Sequence, residues 1–391
     1  VTIPREAYTD EDYFRFEAKT VLESGWLCIA HVSEVKAPGD FVALDLLGEP
    51  LVVVRDKTCT VRVLSRVCAH RAMDIMPEGF AFPRTGTASV LLCPYHHWAY
   101  NLDGSVRGCA QMQEAECFDK KEWRLAEFRS EIWKGFVFVN LDGKAAPLSE
   151  QYADFATATA AWPSDQMDVA ISMDWDCEFN WKVMIENWME SYHHLGAHHK
   201  TLNPQMPGEN TWTEAEHPHF IRSHLPFTRA LAERVRAADD DGEKLPGFAP
   251  LGGLTFEDKT EWGLYLGYPC FMFLTMSDRV LWYRLLPISA QHCKLRTATL
   301  VMPETHNAHD FGVTVETERE ALRSFHLEDM LVNTAVQRGL NSRAAVRGRL
   351  SHLEEPVWLI QRYLSARSAG AYPQKASRAP YYGPHAAPAN P

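Results

Sequence analysis

The sequence predicts an α+β protein in which a small all-β module precedes a larger module combining an antiparallel sheet with helices. Three observations carry this. From Gly39 the chain runs through short strand patterns at 41–46, 51–55 and 60–65, separated by Gly48-Glu49-Pro50 and Asp56-Lys57 turns. Further strand patterns at 264–274, 280–287 and 293–302, with Ser277-Asp278 at a turn, suit an antiparallel sheet. Helical periodicity marks 181–195 and 314–340. At 391 residues, 46% hydrophobic and 23% charged, the chain is long enough for two domains and a large core.

Composition also removes several classes. No apolar run is long enough to cross a bilayer, and the opening residues lack a signal peptide's basic and apolar regions, so a cytoplasmic protein without membrane partners is expected. A net charge of -12 argues against a nucleic-acid partner. Nine cysteines spread thinly along the chain fit reduced thiols and metal ligands better than a disulfide framework.

Residues 1–38 read as a helical segment, with a helix over 9–30, Thr9 as a cap, and Phe14, Phe16, Val21, Leu22 and Trp26 as packing residues. The all-β module is expected over 39–145. Its central feature is Cys68-Ala69-His70 and, after 22 intervening residues, Cys93-Pro94-Tyr95-His96. Two tight turns, each presenting a thiol and an imidazole, are what a metal centre needs. A Cys2His2 zinc site usually keeps its cysteines on one element and its histidines on another, whereas here each element supplies one of each. That mixed order suits a Rieske [2Fe-2S] centre, in which one iron takes both thiolates and the other both imidazoles. Together with Trp98, Tyr100, Asp103 and Gly104, the two pairs resemble a Rieske domain. The resemblance implies Cys68, His70, Cys93 and His96 as cluster ligands. Two departures stand out: the gap between the pairs is lengthened at 80–87, and His97 occupies a position where glycine is common. His97 is a poorer ligand than His96, and Cys109 and Cys117 are read as small hydrophobes. The module is expected to close with strands over 131–141, burying Ile132, Phe136, Phe138 and Val139 before an Asp142-Gly143 turn.

The larger module, 146–365, opens with helical character to Asp165 and a strand over 167–179. A helix over 181–195 would line up Trp181, Met184, Ile185, Trp188, Tyr192 and Leu195 as an apolar stripe, with Lys182, Glu186, Glu190 and His193 opposite. Alone, that polar stripe reads as a solvated face. Four histidines follow, at 193, 194, 198 and 199. His194 and His198 have zinc-peptidase spacing, but Leu195 stands where the required Glu would be. His193 and His198, five apart, converge only if the helix breaks, and Gly196 is placed to allow it. In the 314–340 helix, Leu322, Phe325, Val332 and Val336 form the expected apolar face, and Asp329 falls on it. An unpaired buried charge is costly, so Asp329 is either ion-paired or bound to metal.

Asn180-Trp181-Lys182, Glu186-Asn187, Glu190, Tyr192-His193 and His198 resemble the mononuclear iron segment of Rieske oxygenases. Glu328-Asp329 with Gln337-Arg338-Gly339-Leu340 resembles the segment carrying that family's carboxylate ligand. The resemblance implies Fe(II) held by His193, His198 and Asp329, with Glu328 as fallback, His194 and His199 as bystanders, and catalytic contributions from Asn187 and Glu190. It implies a helix-grip catalytic domain with the sheet covered by iron-bearing helices. Of Trp262, Tyr265, Tyr268, Phe271, Phe273, Trp282 and Tyr283, those facing the iron would line a substrate cavity. Residues 203–253 read as an excursion over its mouth, and 366–391 as a Pro-rich tail.

The implied activity is that of an oxygenase component, using O2 and NAD(P)H-derived electrons from a separate reductase or ferredoxin to hydroxylate a small organic substrate. It further implies a homotrimer in which Glu190 links an iron histidine to a neighbouring subunit's Rieske histidine. The spacing from Glu190 to Tyr192-His193 is similar to the glycine betaine, choline and carnitine monooxygenase branch, pointing to hydroxylation next to nitrogen and C–N cleavage. The alternatives are a ring-hydroxylating dioxygenase acting on an aromatic acid or hydrocarbon, a Rieske electron carrier, and a two-zinc protein.

Overall fold

The computed structural model describes residues 2–369 apart from 78, 81 and 244. The chain divides into two compact units, one of Glu23–Leu148 and one formed by the flanking chain up to Leu22 and from Ser149. The α+β class and the all-β nature of the smaller unit are as expected. No described helix is long and apolar enough to cross a membrane.

In the smaller unit the Val-rich Glu49–Arg55 strand lies between Val61–Ser65 and Asp40–Leu46. Its Leu51, Val52, Val53 and Val54 are all buried, as a central strand covered on both faces demands. The lengthened 80–87 segment ends in a strand, Thr85–Thr87, which pairs onto Asp40–Leu46 as a fourth member. A second sheet orders Leu91–Leu92, Ala99–Tyr100 and Val106–Gly108, and a third Leu27–His31, Phe136–Asn140 and Arg129–Trp133. The strands expected over 131–141 form a hairpin, Arg129–Trp133 with Phe136–Asn140. Lys134 (φ 46°) and Gly135 (φ 85°) form its two-residue turn, both residues lying in the left-handed region that a tight hairpin favours. This places Ile132 on the outer face, 53% exposed, not buried as expected.

The helix expected over 9–30 is also broken. Asp10, not Thr9, caps Glu11–Glu17 by accepting from Tyr13 N, a π-helical turn follows at Ala18–Leu22, and Leu27–His31 is a strand of the smaller unit.

The larger unit is built on a seven-stranded antiparallel sheet in the order Asp168–Cys177, His292–Val301, Val280–Ser289, Phe271–Thr275, Glu261–Gly267, Phe220–Pro226 and Trp212–Thr213. The pattern at 264–274 resolves into two strands, turned at Tyr268-Pro269. Residues 203–253 are not simply an excursion: Phe220–Pro226 is an inner strand, and Arg229–Asp241 is a helix capped by the Thr228 side chain. The Glu355–Ser368 helix runs past the expected start of the Pro-rich tail, whose residues 370–391 lie outside those described.

Two helices carry the site. Trp181–Met189 starts at Asn180, whose side chain accepts from Lys182 N. The Lys182 ammonium is fully buried on Glu17 Oε2 at 2.7 Å, and Trp181 Nε1 donates to the same oxygen at 3.0 Å. The long helix spans Phe311–Leu340, but its buried stripe is not the apolar one expected. Val336 is exposed and Phe325 and Val332 are half-buried, while His326, Asp329, Asn333 and Gln337 face inward with Val315 and Leu322. Polar partners on the shorter helix and its cap satisfy Asn333 and Gln337. Asn333 Nδ2 donates to Asn187 Oδ1 at 3.3 Å, and Gln337 Oε1 accepts from Asn180 N at 2.9 Å. Buried polar groups tolerate such an interface only when paired, so these bonds set the register between the helices.

Candidate metal centres

In the smaller unit the two loops bring their four donor residues together. Cys68 and Cys93 are buried, the ring centroids of His70 and His96 lie 4.7 Å apart, and His70 stacks on Trp98 at 4.9 Å with planes 1° apart. The Tyr100 hydroxyl lies 3.0 Å from Cys68 Sγ and accepts from Ala69 N, fixing the first loop against the second. Burial pushes the Cys93 thiol up, and the neighbouring Cys68 adds to the shift. Two buried thiols so close need a cation to be ionised together. His70 Nδ1 is buried with no hydrogen-bond partner among the described residues, which suits a nitrogen reserved for a metal. The donor set therefore fits a [2Fe-2S] cluster. His97 is exposed and holds a left-handed backbone (φ 56°), which explains why glycine suits that position. Cys109 packs partly into the core, whereas Cys117 is exposed and is not the hydrophobe expected.

In the larger unit the helix ends at Met189, six residues before the predicted end, and Glu190 is extended (φ −104°, ψ 142°). The Glu190 carboxylate causes the break: Oε2 accepts from His193 N at 3.0 Å and Oε1 from His193 Nδ1 at 2.7 Å. A 3-10 turn, Tyr192–Leu195, then carries His193, and Gly196 merely ends that turn at φ −102°. The helix break thus falls at Glu190, not at Gly196. With the helical period lost, Tyr192 (44%) and Leu195 (49%) are exposed instead of continuing the apolar stripe.

The ring centroids of His193 and His198 lie 4.9 Å apart. Asp329 Oδ1 sits 3.0 Å from His198 Nε2 and 3.5 Å from His193 Nε2, and one donor atom from each of the three residues falls within 4.8 Å of the others. His198 Nδ1 donates to Glu328 Oε2 at 2.7 Å, and Thr201 Oγ1 donates to the same oxygen. Both imidazoles are thus held through Nδ1 by an outer carboxylate, leaving Nε2 for a metal. Burial pulls the His198 imidazole down, but bonding to Asp329 and Glu328 outweighs it and leaves the ring raised. Burial likewise pushes Asp329 up, and the three surrounding histidines more than reverse it. The arrangement fits Fe(II) with two nitrogens and one carboxylate.

Glu328, the fallback ligand, is outside this donor set and acts on the far side of His198. Replacing it with alanine is expected to weaken Fe(II) binding by about 10- to 100-fold. Titration against a competing chelator measures this, and unchanged affinity would leave Glu328 without a role in orienting the ligand.

His194 is no ligand, but it is buried in the site wall with Nδ1 on the Met206 carbonyl at 2.9 Å, and burial pulls it down to about 4. Residue patterning missed His326, three positions before Asp329 on the same helical face, where burial again pulls the imidazole down to about 4. The Tyr283 hydroxyl donates to its Nε2. His199 is exposed. The cavity beside the triad is lined by Met184, Asn187, Trp188, Trp262, Tyr283 and Phe325, with leucines of the sheet behind them. The predicted aromatic set divides as strand alternation requires. Trp262 and Tyr283 face this cavity, Tyr265, Phe271 and Phe273 pack around Phe155, and Tyr268 stacks on Tyr363.

Residues 164–370 match the catalytic domain of the ring hydroxylating alpha subunit, and residues 25–119 match the Rieske [2Fe-2S] domain. The chain belongs to the ring-hydroxylating alpha-subunit family. This alpha-subunit homologue is 32% identical over 200 residues to the carnitine monooxygenase oxygenase subunit of Acinetobacter pittii, covering 50% of this chain and 52% of the relative. The chain thus spans about half the length of that relative. To the glycine betaine monooxygenase oxygenase subunit of Chromohalobacter salexigens it is 24% identical over 385 residues, covering 90% of this chain and 82% of the relative. A solved quaternary ammonium Rieske monooxygenase superposes with a TM-score of 0.76 at 25% identity, covering 94% of this chain and 95% of the other.

Proposed function

We propose that this chain is the oxygenase component of a multicomponent Rieske system that hydroxylates an alkylated amine at a carbon next to nitrogen. The observation that carries the reading is the convergence of His193, His198 and Asp329 beside a cavity walled by Trp188, Trp262, Tyr283 and Phe325. The names of the relatives support the choice of amine over arene.

In this reading Cys68 and Cys93 hold one iron of the cluster, His70 and His96 hold the other, and His193, His198 and Asp329 hold Fe(II). When bound, these groups supply a stored electron and a site for the reductive activation of O2. The chain's residues do the remaining work. Glu190 and Glu328 fix the two imidazoles, Asn187 ties its helix to Asn333 at the cavity wall, and the aromatic and leucine side chains exclude water around the bound amine. One oxygen atom enters the substrate and the other leaves as water, with two electrons and two protons consumed. The hydroxylated carbon then loses its C–N bond. The electrons come from NAD(P)H through a separate reductase or ferredoxin. The active form is a homotrimer in which Glu190 also reaches a Rieske histidine of a neighbouring subunit.

Visible absorption and EPR of the reduced protein, followed by product analysis on quaternary amines and aromatic acids with a surrogate reductase, test this reading. A Rieske signal and aldehyde release from an amine are expected. A colourless protein containing only zinc would remove the oxygenase reading, and a cis-diol from an arene without amine turnover would replace it with a dioxygenase.

A further inference from the structure

We infer that the cavity selects alkylated ammonium compounds that carry no carboxylate, with Trp188, Trp262 and Tyr283 as the residues that set this preference. The inference rests on the amine-oxygenating reading above and narrows its substrate class.

The distribution of polarity around the cavity carries it. Carboxylates are confined to the triad side, where Asp329 and Glu190 line the cavity. Several of the polar atoms nearby are already engaged. Glu190 holds the His193 backbone and ring, His194 Nδ1 is on the Met206 carbonyl, the Tyr283 hydroxyl is on His326, and Trp188 Nε1 donates to the Tyr265 carbonyl at 3.3 Å.

The sheet wall is carbon. Leu264, Leu274 and Leu281 are directly opposite one another on three neighbouring strands, and Leu225 is opposite Trp262. All of these residues line the cavity. Among the described residues no lysine or arginine lines it. A substrate carboxylate laid on the leucines of this wall would lose its hydration without gaining a charged partner.

An alkylated ammonium group meets the opposite situation. Its charge is spread over methyl groups, is weakly hydrated, and is attracted to aromatic ring faces. Trp188 and Tyr283 form a tilted pair, with centroids 4.3 Å apart and planes at 55°, and Trp262 enters from Glu261–Gly267, on the far side of the Phe271–Thr275 strand from Tyr283. Three rings from a helix and two strands thus surround the same space.

The test is anaerobic calorimetric binding to the unreduced holoenzyme with two matched pairs of ligands. γ-Butyrobetaine and its methyl ester share a cationic head and differ in the carboxylate. Choline and 3,3-dimethylbutan-1-ol share a shape and differ in the positive charge. The ester is expected to bind at least about tenfold tighter than the free acid, and choline at least about tenfold tighter than its carbon isostere. Equal or tighter binding of the free acid would overturn the inference while leaving amine oxygenation standing. If choline bound no better than its isostere, the aromatic selection would be overturned. If no amine bound and an arene were oxidised, this inference and the amine reading would fall together. Trp262→Leu should reduce the choline-to-isostere ratio severalfold without weakening the isostere, and an unchanged ratio would remove Trp262 from the assignment.

Discussion

Asp329→Ala is expected to leave the EPR signal of the reduced cluster unchanged while abolishing stoichiometric mononuclear iron and lowering turnover by more than about 100-fold. The carboxylate is the only anionic member of the donor set, and its Oδ1 lies within 3.5 Å of both Nε2 atoms. Without it, two neutral imidazoles must hold a divalent cation on their own. The buried histidines around Asp329 also lose the charge that balances them, so His198 is expected to return toward its ordinary range or below. The smaller unit contributes none of these residues, and for that reason the cluster signal should survive. Iron analysis combined with EPR checks both halves. Retained iron with normal turnover would show that the carboxylate ligand lies elsewhere.

Glu190→Gln is expected to keep both metal centres and to slow oxidation of the reduced cluster in a single turnover by roughly 100-fold or more. The glutamine carbonyl can still accept from His193, so the iron ligand keeps its orientation. The substitution removes the negative charge and one acceptor oxygen, which the proposed link to a neighbouring subunit's histidine requires. Stopped-flow absorbance of the reduced cluster, mixed with O2 and substrate, reads this directly. Full-rate oxidation would reduce Glu190 to the cap that ends its helix and starts the next turn.

The legible parts of the site were local. Cys68-x-His70 and Cys93-x-x-His96 place paired donors on tight turns by covalent spacing alone, and the structure brings all four together. The long helix and Asp329 on its buried side follow from periodicity. Sequence reasoning failed where a side chain overrode that periodicity. The stripe through Tyr192 and Leu195 presumed a helix continuing past Met189, but Glu190 diverts the backbone by taking the His193 N–H. The apolar face assigned to the long helix failed for a related reason. Its neighbour supplies Asn187 and Asn180, so Asn333 and Gln337 are satisfied inside while Val336 is left outside.

The sequence by itself determined the α+β class, the two Cys-His clamps and, through its resemblance, the trio His193, His198 and Asp329. These rest on covalent spacing, on hydrophobic periodicity and on residue types that few chemistries require. Only the tertiary structure decided that Glu328 and Glu190 hold the outer nitrogens of the two histidines, that the helix breaks at Glu190, and that Trp262 and Tyr283 face the cavity while Tyr265 and Phe273 do not. Glu328 and the aromatic rings depend on which partner a group meets across the fold, often more than a hundred residues away, whereas the Glu190 carboxylate competes with the helix for the backbone N–H of His193 three residues on.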